Sequence, residues 1–244
     1  MDPRIEVIDK RLKNIKRVIA VAGGKGGIGK SSVASTLALV LSRIGHKVGL
    51  FDLDFSGPSA HMILGIKDYE FPKEDKGIVP SEYYGIKFMS IISFSGENPL
   101  PLRGIDITNA IIEFLAITQW GSLDYLIIDM PPGIGDTTLD IIRIIKKAEF
   151  LIVTTPSKVA FETVKKSLQL LLELKVPIVG VIENMKFAKD SFIQEQVKIF
   201  NIHFLGGINF DKDFEDSIGN VNKLYNTNFA QSLKEIILKI RSFS

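Results

Sequence analysis

Cysteine is absent from this chain of 244 residues. Its absence excludes disulfide bonds, catalysis by a thiol nucleophile, and metal or cluster sites made from thiolates of the chain itself. Histidine is scarce, and its three copies, His46, His61 and His203, are far apart in the sequence. Because metal-binding histidines come at short, regular spacings, we expect each of the three to occupy a surface or loop position instead.

Long apolar runs and blocks of one charge are also missing. No stretch approaches the roughly 18 uncharged apolar residues of a membrane span, and the first residues lack the pattern of a signal peptide. Lysine and arginine number 30 against 28 acidic residues, and neither sign is gathered into a block. We therefore expect a cytoplasmic protein without a nucleic-acid partner, and we do not expect membrane binding.

The sequence does contain a regular alternation of apolar strand-like runs and amphipathic helix-like stretches, which indicates parallel strands joined by helices. Strands are predicted at 17–22, 46–53, 85–92, 124–129, 150–155, 177–183 and 203–208. Helices are predicted near 29–43, 106–118, 136–147, 159–174 and 190–200. This pattern predicts one α/β domain over residues 1–244, a three-layer, doubly wound, mostly parallel sheet with helices on both faces. The segment 66–84 is predicted as a surface loop, either a partner contact or a disordered stretch without function.

The segment from Gly23 to Ser31 reads GGKGGIGKS and fits the phosphate-binding pattern G-x-x-x-x-G-K-[ST]. It follows a buried strand and opens a helix, so that backbone N–H groups and the positive helix end would face one anion. In such a loop Lys30 reaches the β- and γ-phosphates, and the hydroxyl of Ser31 binds Mg²⁺. A glycine-rich turn that binds nothing is the alternative, which the presence of both Lys30 and Ser31 disfavours. The loop residues predicted to bind nucleotide are Gly24, Lys25, Gly26, Gly27, Ile28, Gly29, Lys30, Ser31 and Ser32.

Two apolar strands lead into aspartates. Asp52 and Asp54 follow the strand predicted at 46–53, and Asp129 ends the run 124–129. Ligands of open α/β sheets lie at the carboxyl ends of the strands, so these acids and the phosphate loop together predict one site. Asp129 is predicted to hold Mg²⁺ directly or through water. Taken singly, each aspartate could instead cap a helix or begin a turn.

Six segments carry a resemblance to a known family. They are the phosphate-binding loop, FDLDFSGPS at 51–59, LRG at 102–104, WGSLDYLIIDMPPGIGD at 120–136, VTTPSKVA at 153–160 and VIENM at 181–185. In order and spacing they resemble the Mrp/ApbC family, a branch of the deviant-Walker-A ATPases that include MinD, ParA and the arsenite and tail-anchored-protein ATPases. The resemblance covers nearly the whole chain and implies the P-loop NTPase fold, with Mg²⁺-dependent ATP hydrolysis by a homodimer.

The resemblance also implies roles for single residues. Lys25 matches the signature lysine that reaches across the homodimer to the phosphates bound by the other subunit, where a second ammonium would stabilise the transition state. Asp54 matches the acid that positions or deprotonates the attacking water, with Asp52 as a supporting carboxylate. Asn184 matches the residue that hydrogen-bonds the adenine edge, with a simple turn asparagine as the alternative. The implied catalytic residues are Lys25, Lys30 and Asp54, and the implied Mg²⁺ site, partly through water, comprises Ser31, Asp52, Asp54 and Asp129.

The chain departs from the family at one motif. Many Mrp-like proteins carry a C-x-x-C pair shortly after the position of Asn184, through which two subunits hold a bridging iron–sulfur cluster. The corresponding stretch here, 186–192, has no cysteine, and oxygen or nitrogen ligands do not readily replace thiolates in such a cluster. The resemblance therefore implies an ATPase related to iron–sulfur cluster assembly that acts on an unidentified protein client, either a cysteine-bearing partner or another client altogether.

A positioning switch of the MinD/ParA type, which binds membrane or DNA only when loaded with ATP, is the alternative function. The C-terminal stretch bears on it, because Leu233, Ile236, Ile237 and Ile240 share one helical face with basic residues nearby. A terminal helix that packs on the sheet has the same apolar stripe, and packed helices are commoner. We therefore expect this stripe to pack on the sheet.

Overall fold

A computed structural model describes residues 2–67, 71–96, 105–133, 135–187 and 192–240. The LRG motif at 102–104 and part of the stretch 186–192 lie outside these residues. The described strands are β1 (Ile15–Gly23), β2 (Val48–Asp52), β3 (Lys73–Glu74), β4 (Ile78–Val79), β5 (Ser81–Tyr83), β6 (Ile86–Ser90), β7 (Leu123–Asp129), β8 (Ala148–Thr154), β9 (Ile178–Lys186) and β10 (Phe204–Asn209). The described helices are α1 (Arg4–Leu12), α2 (Lys30–Arg43), α3 (Ala60–Leu64), α4 (Ile92–Ser95), α5 (Ile105–Ile117), α6 (Asp136–Ile144), α7 (Lys158–Glu173), α8 (Phe192–Ile199), α9 (Asp213–Ser217), α10 (Val221–Asn226) and α11 (Asn228–Lys239).

Eight of these strands form one sheet in the order β10-β9-β8-β1-β7-β2-β6-β5. Neighbouring strands are parallel except for β5, which runs antiparallel to β6. The register aligns Val21 of β1 with Asp129 of β7, and Asp129 with Asp52 of β2. The predicted mostly parallel α/β sheet is therefore confirmed, and the carboxyl ends of its central strands lie side by side.

The core lies on both faces of the sheet. Successive side chains of a strand point to opposite faces, and in β1 Val18 and Ala20 pack on one side while Ile19 and Val21 pack on the other. Helices α1, α5, α6, α7 and α8 contribute to the first apolar cluster, and α2, α3, α10 and α11 contribute to the second. The uninterrupted apolar sequence of the central strands follows from this double coverage.

Two expectations from the sequence are wrong. The segment 66–84, predicted as a loop, contains β3, β4 and β5, and β5 forms one edge of the main sheet. Strands of two or three residues are too short to produce a recognisable alternation, so the sequence pattern could not indicate them. His61, predicted at a surface or loop position, lies in α3 and is only 6% exposed, because Ala60, Ile63 and Leu64 of this short helix pack against the core.

The C-terminal helix α11 packs on the sheet. Leu233, Ile236 and Ile237 are buried in the same apolar cluster as α2 and Ile208 of β10. The packed position expected for this stripe is therefore confirmed. Among the described helices, none has the length and apolar character needed to cross a bilayer.

Candidate functional site

The loop between β1 and α2 has the strand–loop–helix arrangement that the sequence predicts. Its strand ends at Gly23, its helix begins at Lys30, and the Val33 N–H donates to the Gly29 carbonyl at 2.9 Å. Gly29 has a φ of 78°, in the left-handed region that favours glycine. A Cβ atom at Gly27 would meet no heavy atom within 4 Å. The loop backbone and the N-terminal end of α2 therefore face open space, as a loop that binds an anion must.

Lys30 and Asp129 form a buried ion pair at the base of this loop. The Lys30 Nζ lies 2.6 Å from Asp129 Oδ1, and the two side chains are 6% and 0% exposed. The hydroxyl of Ser31 lies 3.4 Å from the same ammonium. Because β7 is the neighbour of β1, its last residue stands directly beside the start of α2. The fold thus brings together three residues that the sequence assigned to phosphate and Mg²⁺.

The second carboxylate oxygen of Asp129, Oδ2, is buried and has no hydrogen-bond partner among the described residues. Burial raises the pKa of the Asp129 carboxyl, and the Lys30 ammonium opposes this rise. An orphaned carboxylate oxygen beside the Ser31 hydroxyl fits Mg²⁺, which takes oxygen ligands and keeps several waters. Within the described ranges no group of three or more His, Cys, Asp or Glu side chains could hold a metal ion. Water and phosphate oxygens would therefore complete the coordination.

Asp52 is fully buried and holds the backbone that follows β2. Its Oδ1 accepts a hydrogen bond from the Asp54 N–H at 3.1 Å, and its Oδ2 accepts from the N–H groups of Ser59 at 3.1 Å and Ala60 at 3.2 Å. Burial and, secondarily, the negative charge of Asp129 raise the pKa of Asp52 to about 8, while the backbone hydrogen bonds oppose the rise. Asp52 thus positions Asp54 and the start of α3.

A cleft of about 370 Å³ lies over the phosphate loop. Lys25 is exposed in it, and Asp54 lines it, with Oδ1 accepting from the Ser56 hydroxyl at 2.7 Å and the Gly57 N–H at 3.1 Å. The cleft is lined by Lys25, Gly26, Gly27, Ile28, Gly29, Lys30, Ser31, Ser32, Asp54, Ser59, Met62, Ile63, Pro132 and Ile218. The exposed lysine and the carboxylate therefore face the same space as the loop.

A second cavity of about 210 Å³ adjoins this cleft, since Ser32 and Ile218 line both. Its wall is mixed, with apolar and aromatic side chains beside polar ones. The remaining lining residues are Asn184, Met185, Asn209, Phe210, Asp211, Lys212, Phe214, Glu215 and Phe229. Asn184 is 2% exposed, and its Nδ2 donates to the Ile28 carbonyl at 2.9 Å. The pair of cavities has the size and polarity of a site for a phosphorylated nucleoside.

The structure places the predicted residues together but adds walls that the sequence did not indicate. Loop residues 25–32 and Asp54 line the cleft, Asp129 lies beneath it, and Asn184 lines the adjoining cavity. Gly24 is buried against Thr163 and Val164 of α7 and does not line the cleft. The unpredicted walls are Met62, Ile63, Phe210, Phe214, Ile218 and Phe229. Phe214 lies in the five-residue helix α9 and Ile218 directly follows it, and nothing in their spacing indicates a cavity.

Comparisons with known proteins agree with this geometry. A family model described as ParA, NUBPL iron-transfer P-loop NTPase, matches residues 14–241. An iron–sulfur cluster carrier protein of Aquifex aeolicus is 41% identical over 181 residues, which cover 73% of this chain and 50% of that protein. A NUBP2 homologue of Dictyostelium discoideum, described as a cytosolic Fe–S cluster assembly factor, is 34% identical over 250 residues, covering 93% of this chain and 94% of that protein.

A solved structure is similar over nearly the whole chain. It is a nucleotide-binding protein from Archaeoglobus fulgidus in complex with ADP, 32% identical, with a TM-score of 0.76, covering 91% of this chain and 93% of its own. The chain spans between 33% and 62% of the length of six of the curated relatives that it matches. The rest of each of these relatives lies outside the matched region.

Proposed function

The chain belongs to the family of NUBPL iron-transfer P-loop NTPases, and from this premise we propose that it is a Mg²⁺-dependent ATPase that works as a homodimer in iron–sulfur cluster assembly. The observation that carries the proposal is the pair of joined cavities, one over the phosphate loop and one with aromatic walls. A triphosphate suits the first cavity because of the loop N–H groups and Lys30. An adenine ring suits the second cavity because its wall combines aromatic side chains with polar ones.

Binding of the phosphates would use the positive groups around the loop. Lys30 would exchange its bond with Asp129 for the β- and γ-phosphates, and the N-terminal end of α2 would face the same oxygens. Mg²⁺ held by Ser31 and Asp129 would neutralise charge on those phosphate oxygens. We assign Asn184 to the adenine edge, since it lines the second cavity and Nδ2, not the amide oxygen, is the atom that bonds the Ile28 carbonyl.

Hydrolysis would depend on Asp54 and Lys25. The Asp54 carboxylate is held at the cleft by the bonds of Asp52 to its backbone and by the Ser56 hydroxyl, a position from which it could orient a water molecule. Lys25 is exposed at the cleft, so it is available to the phosphates of a second subunit. The homodimer would then complete each active site.

Exposed apolar side chains near the carboxyl ends of the strands support assembly through this face. Met62 at the cleft is 60% exposed, Val159 just after β8 is 74% exposed, and Phe187 just after β9 is 79% exposed. Large exposed apolar groups gathered near a binding site are typical of a surface that another protein covers. Their position supports a dimer in which two nucleotide sites face each other.

The names of the relatives support an iron–sulfur protein as the client. Those names describe an iron–sulfur cluster carrier and a cluster assembly factor. This chain has no cysteine, so a client that supplies its own thiolates would have to hold any cluster. Location in the cytoplasm stays a prediction, because the names include both a cytosolic and a chloroplastic factor. No described feature favours the membrane-binding or DNA-binding alternative, since the apolar face of α11 is buried.

Calorimetry with ATP in magnesium buffer tests the nucleotide site. We expect the wild-type protein to bind ATP, and Lys30→Ala to weaken binding by about a hundredfold, because charge-assisted bonds to two phosphates are lost. Lys16→Ala is the matched control, since Lys16 lies at the opposite end of β1 with a side chain that is 78% exposed. If folded wild-type protein shows no heat of binding with ATP, the proposal is refuted.

Client capture tests the second half of the proposal. The wild-type protein and Asp54→Asn, the variant expected to keep ATP bound, would be used as baits with ATP and with ADP. Enrichment of proteins with iron–sulfur clusters by the ATP-bound bait supports a role in cluster assembly. Absence of any such enrichment, with ATP turnover intact, would restrict the proposal to the ATPase alone.

A further inference from the structure

Asn184 and Ile28 lie 156 positions apart in the sequence and are joined by a hydrogen bond of 2.9 Å from Asn184 Nδ2 to the Ile28 carbonyl. Both residues are 2% exposed. A carbonyl can only accept, so the NH₂ group of the amide must be the end that faces Ile28. The other end, Oδ1, is left for the second cavity, which Asn184 lines.

The bond holds the phosphate loop at a residue that lies between two glycines. Ile28 stands between Gly27 and Gly29, whose φ angles of 76° and 78° are both left-handed. Glycine adopts many other conformations at little cost, so two glycines that flank a single residue do not fix the path of a loop by themselves. A buried carbonyl that loses its donor is also costly, which makes the Ile28 carbonyl sensitive to the loss of Asn184.

The position of Asn184 in the sheet explains how it reaches the loop. Glu183 of β9 is in register with Thr154, the last residue of β8, so Asn184 lies just beyond the end of β8. β8 is the strand that separates β9 from β1. Asn184 therefore reaches across the end of β8 to the loop that follows β1. The fit is close, since a Cβ atom at Gly29 would overlap Nδ2 of Asn184.

We propose that Asn184 is a positioning residue for the phosphate loop, in addition to its assignment to the adenine edge. Its amide holds residues 27–29 in the conformation that binds phosphate, whether or not a base is present. This inference rests on the proposed ATP site and deepens it. The Oδ1 atom of Asn184 would then bind the base, and the Nδ2 atom of the same amide would hold the phosphate loop in its binding conformation.

A ligand without a base separates the two roles. Magnesium tripolyphosphate offers the loop three phosphates and offers the second cavity nothing. We expect Asn184→Ala to weaken its binding about tenfold in calorimetry, because the loop spends less time in the binding conformation. Asn209→Ala is the matched control, an asparagine that lines the same cavity from β10, and it should leave tripolyphosphate binding within about twofold of wild type. An Asn184→Ala protein that binds tripolyphosphate like wild type and loses affinity for ATP alone would overturn the positioning role.

A second pair of variants covers the case in which Asn184→Ala does not fold. Asn184→Asp keeps the side-chain shape and removes the donor, and Asn209→Asp adds the same charge to the same cavity. Tripolyphosphate binding should weaken more in Asn184→Asp than in Asn209→Asp, and hydrogen exchange at loop amides 26–29 should rise in Asn184→Asp alone. Equal changes in tripolyphosphate binding and in hydrogen exchange in the two variants would refute the positioning role of Asn184. If wild type binds neither ATP nor tripolyphosphate, the proposed nucleotide site itself falls, which is distinct from loss of the Asn184 role alone.

Discussion

Lys30 and Asp129 form a buried ion pair, with 2.6 Å between Nζ and Oδ1 and side chains that are 6% and 0% exposed. ATP without a cation would draw Lys30 away and leave a buried carboxylate unpaired. A cation at Asp129 Oδ2 without ATP would lie close to the Lys30 ammonium, with no phosphate to offset their repulsion. Breaking one side of a buried ion pair costs about 3–5 kcal/mol. The geometry therefore favours joint binding of ATP and Mg²⁺ over binding of either alone.

The first prediction is that Asp129→Asn binds Mg²⁺-free ATP more tightly than wild type does. The substitution frees Lys30 for the phosphates, and we expect a gain of about tenfold or more in calorimetry with EDTA. Adding Mg²⁺ should increase the ATP affinity of the same variant less than that of wild type, because an Mg²⁺ ligand is lost. Both effects together would show that Lys30 is restrained by Asp129 before the ligand arrives.

A control separates this release from a simple loss of negative charge. Asp54→Asn removes one carboxylate from the same cleft, where Asp54 Oδ1 accepts from Ser56 and Gly57 while Lys30 pairs with Asp129. It should improve Mg²⁺-free binding less than Asp129→Asn does. Equal improvement in the two variants would mean that charge alone explains the result.

The second prediction concerns Lys25. We expect Lys25→Ala to retain most of its ATP affinity and to lose at least about a hundredfold in turnover, as expected for an ammonium that acts on the transition state. Mixing Lys25→Ala with Asp54→Asn, each inactive alone, tests whether the lysine acts across the dimer. A mixed dimer then has one complete site, and the mixture should recover up to about a quarter of the wild-type rate. A lysine acting within its own subunit would give no recovery.

The third prediction is that Asp54→Asn binds ATP and hydrolyses it very slowly. The amide keeps the size of the side chain but cannot accept a proton from water, and loss of such a group typically costs about 10²–10⁴ in rate. Single-turnover measurements with preformed ATP complex separate this loss from weaker binding. Ser56→Ala is an informative companion, because it removes the 2.7 Å bond to Asp54 and keeps the carboxylate, and it should cost less. Rapid turnover by Asp54→Asn would exclude its assigned role.

The sequence predicted those parts of the site that follow directly from strand ends. The phosphate loop and Asp129 each come after an apolar run, and parallel pairing brings such ends to one edge of the sheet. The bond from Asn184 to Ile28 joins segments with no shared pattern, so the sequence could suggest a contact with the base but not with the loop. Phe210 directly follows β10 and Phe229 lies in the first turn of α11, and nothing in the apolar pattern at these positions indicates a cavity.

The last prediction uses the raised pKa of Asp52. Burial raises its pKa to about 8 in the folded protein, against an ordinary value of 3.8. Between pH 3.8 and about 8, Asp52 therefore keeps its proton in the folded state and has lost it in the unfolded state. Stability from this group is fully present below pH 3.8 and is lost as the pH rises toward about 8.

Denaturant unfolding in EDTA at several pH values from 5 to 8 measures this loss. The free energy of unfolding of wild type should fall as the pH rises across this range. This fall should be steeper than that of Asp52→Asn, which cannot ionise at this position, by up to about 1.4 kcal/mol per pH unit. Asp124→Asn serves as control, because Lys16 and the Lys47 N–H lower the pKa of Asp124 and its titration lies outside this range. Parallel pH profiles for wild type and Asp52→Asn would mean that Asp52 is already ionised at pH 5, held by the N–H groups of Asp54, Ser59 and Ala60.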